Sequence, residues 1–134
     1  RLRRFVSQGV TVFDDTYNAN PESMIAGLET LAQFSVSSQN KHYAVLGRMA
    51  ELGEHAEDGA RRVGEKAASL GLHLITAGDG ADAIQAHAGP FSQHFASREE
   101  AADHLRSIIT PGDAVLFKGS RTSAMELVMK LVFP

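Results

Sequence analysis

The sequence predicts an α/β fold: a three-layer open sheet, mostly parallel, with helices on both faces. Three observations carry this. Strand-like and helical segments alternate in the order βαβαβαβαβα, the pattern of a chain returned by each helix to a parallel strand. The strand interiors are continuous apolar runs (Ala44-Val45-Leu46, Leu74-Ile75, Val115-Leu116-Phe117), as expected of strands covered on both faces. Gly71, Gly78 and Gly112 punctuate the chain near element ends.

Taken in order, the strand segments are 10–14, 42–47, 72–77 and 114–118, with a weaker one at 93–96. Between the first two, residues 21–34 carry Met24, Ile25, Leu28 and Leu31 at helical spacing. Asn20 is a good cap for that helix, Pro21 fits its first position, and Glu22 favours its dipole. Residues 54–70 carry a stripe of mostly small side chains, Ala56, Ala60, Val63, Ala67 and Leu70, suited to close approach to a sheet. Residues 81–88 suit a short helix. Ala101, Ala102, Leu105, Ile108 and Ile109 form the next stripe, and Met125, Val128, Leu131 and Val132 the last.

A chain of 134 residues with 43% hydrophobic and 22% charged content fits one globular domain, residues 1–134, with a real core. The formal net charge of −3 and the lack of a Lys/Arg block argue against nucleic acid as a partner and against membrane attachment. There is no cysteine, hence no disulfide framework and no thiolate metal site. No apolar run approaches the roughly 20 residues that span a bilayer. The basic start, Arg1-Leu2-Arg3-Arg4-Phe5, lacks an initiator Met and the apolar segment of a signal peptide. It reads as a cut from a longer chain.

Open α/β sheets bind ligands beyond the carboxyl ends of their strands, so the loops there are the candidates. The first is Asp14-Asp15-Thr16-Tyr17-Asn18-Ala19-Asn20, where strand alternation sends the adjacent carboxylates to opposite faces. A carboxylate here suits a ribose hydroxyl, and a solvated turn is the plain alternative. The last is Lys118-Gly119-Ser120-Arg121, a strand end feeding a helix. Backbone N–H groups, a lysine and an arginine would make an anion site there, unless Ser120 or Thr122 merely caps the helix.

Gly78-Asp79-Gly80-Ala81-Asp82-Ala83 fits a loose dinucleotide pattern, with Glu99 and Glu100 about 20 residues on. That makes a nicotinamide-dependent oxidoreductase domain one alternative and a non-enzymatic ligand-sensing module another. Asp79 and Asp82 argue against pyrophosphate there. The six histidines show no metal-ligand spacing, and neither a nucleophile elbow nor a phosphate-binding loop exists. The chain holds half of a site.

Three segments, DDTYNANPESM, LGRMAELGE and FKGSRTSAMELV, resemble in this order the carboxy-terminal domain of the Mur ligases. The resemblance spans the chain and is strongest to the branch that adds D-alanyl-D-alanine to a UDP-N-acetylmuramoyl-tripeptide. It implies a Rossmann-like domain of a three-domain, ATP-dependent, bacterial cytoplasmic enzyme of peptidoglycan synthesis. A central domain outside this chain would carry the phosphate loop and Mg²⁺, so no catalytic residue and no metal ligand are expected here, and the domain alone is expected to be inactive.

By position, the resemblance implies that Asp15 holds the ATP ribose and that Tyr17, Asn18 and Asn20 line the nucleotide and dipeptide crevice. Lys118, Ser120 and Arg121 would stand at the mouth of the dipeptide site, with Arg121 forked onto the dipeptide carboxylate. Arg1 would reach toward the ATP phosphates. Two positions depart from the family pattern: Arg48, where many relatives carry an aspartate, and Ala60, where a histidine is common. They leave the role of the 47–54 loop open.

Overall fold

In a computed structural model, which describes residues 2–50 and 52–134, six strands and five helices are arranged as an open α/β sheet. The strands are β1 (Arg3–Ser7), β2 (Val10–Asp15), β3 (His42–Leu46), β4 (His73–Ala77), β5 (Ser92–Phe95) and β6 (Ala114–Lys118). The helices are α1 (Pro21–Gln33), α2 (Ala56–Ser69), α3 (Asp82–Gln85), α4 (Arg98–Ile108) and α5 (Met125–Val132). The order across the sheet is β1-β2-β6-β3-β4-β5, and every neighbouring pair except β1 with β2 is parallel.

β1 corrects the expectation that each strand follows a helix. The amino end adds an antiparallel edge strand, with Arg3 opposite Asp14 and Ser7 opposite Val10. Gln8 and Gly9 make the turn, with φ of 56° and 76°, the paired positive angles of a tight hairpin. Gly9 is required twice over, because a Cβ there would also lie 2.8 Å from the Cβ of Pro111. The strand escapes a periodicity search because Arg3, Arg4 and Val6 face solvent at the sheet edge.

Alternation along the strands splits the core in two. Val12, Val45, Val115 and Phe117 face Leu105, Met125 and Val128 of α4 and α5. Phe13, Leu46, Leu74 and Leu116 face Met24, Leu28, Leu31, Val63 and Ile84 of α1, α2 and α3. Burying each large aliphatic side chain contributes about 1.5–3 kcal/mol, so these two layers dominate stability. Helix α2 packs closely on α3: a Cβ at Gly64 would lie 2.4 Å from the carbonyl oxygen of Ile84.

The start of α1 is fixed locally. The Asn20 side chain accepts from the Ser23 amide at 2.8 Å, and the Asn20 amide donates to Ser23 Oγ at 3.1 Å, with Pro21 in the first turn. At the opposite end of the sheet, Asp113 precedes β6 and is buried at 2% exposure. Its carboxylate accepts from Asn40 Nδ2 (2.8 Å), the Lys41 amide (2.9 Å), and the Thr110 amide (2.8 Å) and hydroxyl (3.2 Å). Burial alone would raise its pKa, but the hydrogen bonds outweigh it and hold the carboxyl below the ordinary aspartate value.

Candidate functional site

The strand order places the site. β6 lies between β2 and β3, yet it leads to α5 on one face of the sheet, whereas β2 and β3 lead to α1 and α2 on the other. The loops part around the end of β6, which is how an open α/β sheet forms a ligand crevice. A cleft of about 520 Å³ occupies the gap, lined by Tyr17, Asn18, Asn20, Leu52, Ser120, Arg121 and Thr122. Five of the residues expected to line a site thus come together across some 100 positions of sequence. Arg1 lies outside the described residues.

The two aspartates separate as alternation requires. Asp14 is on the α4/α5 face, where its carboxylate accepts from Arg3 at 2.9 Å and from the Thr16 hydroxyl at 2.8 Å. Asp15 is on the α1 face, paired with Lys118 Nζ at 2.8 Å. It also borders a recess of about 220 Å³ lined by Leu2, Phe13, Ala26, Gly27 and Leu116. Lys118, expected at the mouth of a dipeptide site, is buried. Its side chain is 3% exposed and also donates to the Asn18 carbonyl at 3.1 Å. The reason is strand parity: Lys118 follows Leu116 on the α1 face, where it runs against Gly27.

Arg121 lies over the ring of Tyr17, 4.9 Å from its centroid. This stacked pair forms a wall: a second cleft of about 450 Å³, lined by Arg3, Asp14, Thr16 and Glu126, lies beyond it. The expectation that β6 feeds straight into a helix is corrected. Residues Arg121–Ser123 make a 3-10 turn, and α5 starts only at Met125. The amides of Ser120, Ser123 and Ala124 donate to the carbonyls of Arg48, Ser120 and Arg121, so these three are committed within the protein. Ala124 has φ of 54°, a left-handed backbone costing about 1 kcal/mol in a non-glycine residue.

Close packing at the strand ends explains two glycines. A Cβ at Gly47 would lie 2.6 Å from Ser123 Oγ, and one at Gly119 would lie 2.4 Å from the same atom. The 47–54 loop, whose role the sequence left open, joins the site through Arg48. Its Nη2 donates to Thr122 Oγ1 at 2.8 Å, and its carbonyl accepts from the Ser120 amide at 2.9 Å. Sequence reading missed this contact because the partners are 74 residues apart.

In the 78–83 stretch, the Gly80 amide donates to the Asp82 carboxylate at 3.1 Å and α3 spans only four residues. Glu100 serves the α4 cap, with its amide on Ser97 Oγ at 3.1 Å. Those groups are occupied structurally. Among the described residues, no group of three or more His, Asp or Glu side chains could hold a metal ion, and no helix is long and apolar enough to cross a membrane.

The fold and this edge define an open α/β domain that builds its crevice from loops at the carboxyl ends of β2, β3 and β6. Residues 1–121 match the family described as Mur ligase, glutamate ligase domain. The chain belongs to the Mur ligase family. It is 37% identical over 142 residues to the UDP-N-acetylmuramoyl-tripeptide–D-alanyl-D-alanine ligase of Mycobacterium tuberculosis, covering 90% of this chain and 28% of that protein. The Escherichia coli enzyme of the same name is 33% identical over 128 residues, covering 93% and 27%. Among solved structures, the MurF ligase from Thermotoga maritima in complex with ADP superposes with a TM-score of 0.84 at 30% identity, over 97% of this chain and 29% of that one. MurF from Acinetobacter baumannii gives 0.86 at 31%, over 98% and 30%. The chain therefore spans under a third of the length of the relatives it matches. These likenesses fall on ligases and do not favour the oxidoreductase alternative.

Proposed function

We propose that this chain is the carboxy-terminal domain of a three-domain, ATP-dependent ligase that joins D-alanyl-D-alanine to a UDP-N-acetylmuramoyl-tripeptide in the bacterial cytoplasm. The observation that carries the reading is the cleft at the end of β6. There Tyr17 and Asn18 of one loop face Ser120 and Arg121 of another. The names of the relatives support the choice of substrates, and the ADP complex of one supports ATP as the nucleotide.

The residues fit a nucleoside. Asp15 is an acceptor for ribose hydroxyls, held in place by Lys118 and set beside an apolar recess. Lys118 thus serves Asp15 rather than the dipeptide. ATP supplies the phosphoryl group that activates the tripeptide carboxylate as an acyl phosphate. Phosphate-loop and Mg²⁺ chemistry is assigned to the preceding domains, and no step of this domain is routed through a metal.

The part of this chain is to hold the amine donor. Arg121 presents a planar fork matched to the carboxylate of the dipeptide, leaving its amine to face the activated carbonyl. Tyr17 supports the guanidinium from behind and excludes water from one side of it. Asn18 and Asn20 shape the floor, and Asn20 is already committed to capping α1.

The test uses the full-length protein. Phosphate release from ATP in the presence of the tripeptide substrate is expected to depend on D-alanyl-D-alanine. No release from a well-folded full-length protein overturns the reading. Arg121→Ala is expected to raise the dipeptide KM about 10- to 100-fold, the loss of one charge-assisted contact, while the ATP KM stays within about twofold. Equal effects on both substrates would remove this division of labour. The isolated domain is expected to bind ATP weakly or not at all by calorimetric titration.

A further inference from the structure

Arg48, in the loop after β3, touches the loops that follow β6 and β4. Its backbone continues β3, and its carbonyl accepts from the Ser120 amide at 2.9 Å. Its guanidinium donates to Thr122 Oγ1 at 2.8 Å. Its aliphatic stem lies over Gly80, in the loop after β4, where a Cβ would stand 3.2 Å from Arg48 Cβ and 3.3 Å from Cδ. Gly80 has φ of 88°, so both its backbone and its missing side chain leave room for this stem.

The two contacts of Arg48 fall on either side of Arg121. Ser120 before it is held by its amide and is 1% exposed, and Thr122 after it is held by its hydroxyl. The hydroxyls of Ser120 and Thr122 lie 3.2 Å apart and close the turn beneath Arg121. Above that turn the guanidinium of Arg121 lies over the Tyr17 ring at the edge of the cleft.

We propose that Arg48 is a positioning residue for Arg121: it clamps the 120–122 turn so that the Arg121 guanidinium is held against Tyr17 and ready for the dipeptide carboxylate. This rests on the assignment of Arg121 to that carboxylate. Arg48 touches no substrate. It acts by tying a turn that is otherwise closed only by its own short-range hydrogen bonds to the end of β3, so its effect is on dipeptide affinity.

The experiment is steady-state kinetics of the full-length ligase with varied D-alanyl-D-alanine and varied ATP, on Arg48→Ala, Arg48→Lys, Thr122→Val, Arg121→Ala and the Arg48→Ala/Arg121→Ala double variant. Arg48→Ala is expected to raise the dipeptide KM about three- to tenfold, the loss of one hydrogen bond to a charged donor, with the ATP KM within about twofold. Thr122→Val removes the acceptor and is expected to do the same. Arg48→Lys restores a donor without the planar fork and is expected to fall between wild type and Arg48→Ala. In the Arg121→Ala background, Arg48→Ala is expected to add nothing, because the group it positions is gone.

A full penalty in that background, or a silent Thr122→Val beside an affected Arg48→Ala, overturns the clamp. An effect of Arg121→Ala without any effect of Arg48→Ala overturns the clamp alone. Arg121→Ala without effect on the dipeptide KM overturns the Arg121 assignment and the clamp together. Should Arg48→Ala fail to fold, Thr122→Val and its double variant with Arg121→Ala carry the same cycle.

Discussion

The two ends of β6 place a buried charge in opposite kinds of surroundings. At the amino end, Asp113 is enclosed by four hydrogen bonds from residues of two neighbouring turns, and no cation is among those donors. At the carboxyl end, Lys118 is just as buried, but its partner Asp15 is 16% exposed and borders a recess. The first arrangement ties turns together. In the second, the carboxylate stays partly exposed beside the recess, where the proposed ribose contact would be made. Under that proposal, burial of a charged group does not separate structure from function; what lies beside its partner does.

The largest effect on stability is expected at the amino end. Asp113→Ala leaves the Lys41 and Thr110 amides without their acceptor and the Asn40 side chain with only the Pro111 carbonyl, which should cost about 3 kcal/mol in denaturant unfolding. Both KM values should stay unchanged, and a specific loss of substrate affinity would erase the contrast between the two ends. Lys118→Met should cost less, about 2 kcal/mol, because Asp15 is partly solvated. Unlike Asp113→Ala, it should also weaken ATP.

Asp15→Ala sharpens the comparison further. It should raise the ATP KM of the full-length enzyme about tenfold, from the loss of a hydrogen bond to a charged acceptor. The dipeptide KM should move little, and an equal rise in it would sink the assignment.

The smallest effect expected is in the pH dependence of stability. His73 packs against Tyr43 and Phe91, and burial, helped by Lys41, lowers its pKa, with Asp113 opposing. The unfolded chain then takes up that proton at higher pH than the folded one. Stability should begin to fall as pH drops through the ordinary imidazole range. The depressed Asp113 carboxyl acts in the same direction at lower pH: its contribution is full above the ordinary aspartate value and is lost below it. Each group adds at most about 1.4 kcal/mol per pH unit, and His73→Gln should remove only the upper shoulder of the unfolding profile. A profile flat down to the carboxylate range in the wild type would contradict this.

Much of the fold was legible because its signals are local. The apolar runs became β3, β4 and β6, and the Asn20-Pro21 pair became the start of α1. β1 was missed because it is half solvent-facing and its Gln8-Gly9 turn is a weaker signal than Asn-Gly. The helix expected straight after Lys118 was displaced by a 3-10 turn because β3 and β6 approach so closely at Gly47 and Gly119. That packing has no trace in the 118–124 segment itself.

By itself, the sequence determined the alternation of strands and helices from β2 onward, the cap of α1, the loops that would carry charge at strand ends, and the opposite facing of Asp14 and Asp15. Each follows from a period or a cap that acts over a few residues. Only the tertiary structure decided that β6 enters between β2 and β3, that Lys118 turns inward to Asp15, and that Arg48 reaches Thr122. The last two contacts join residues 103 and 74 positions apart, and their energy exists only once the sheet has closed the loops between them.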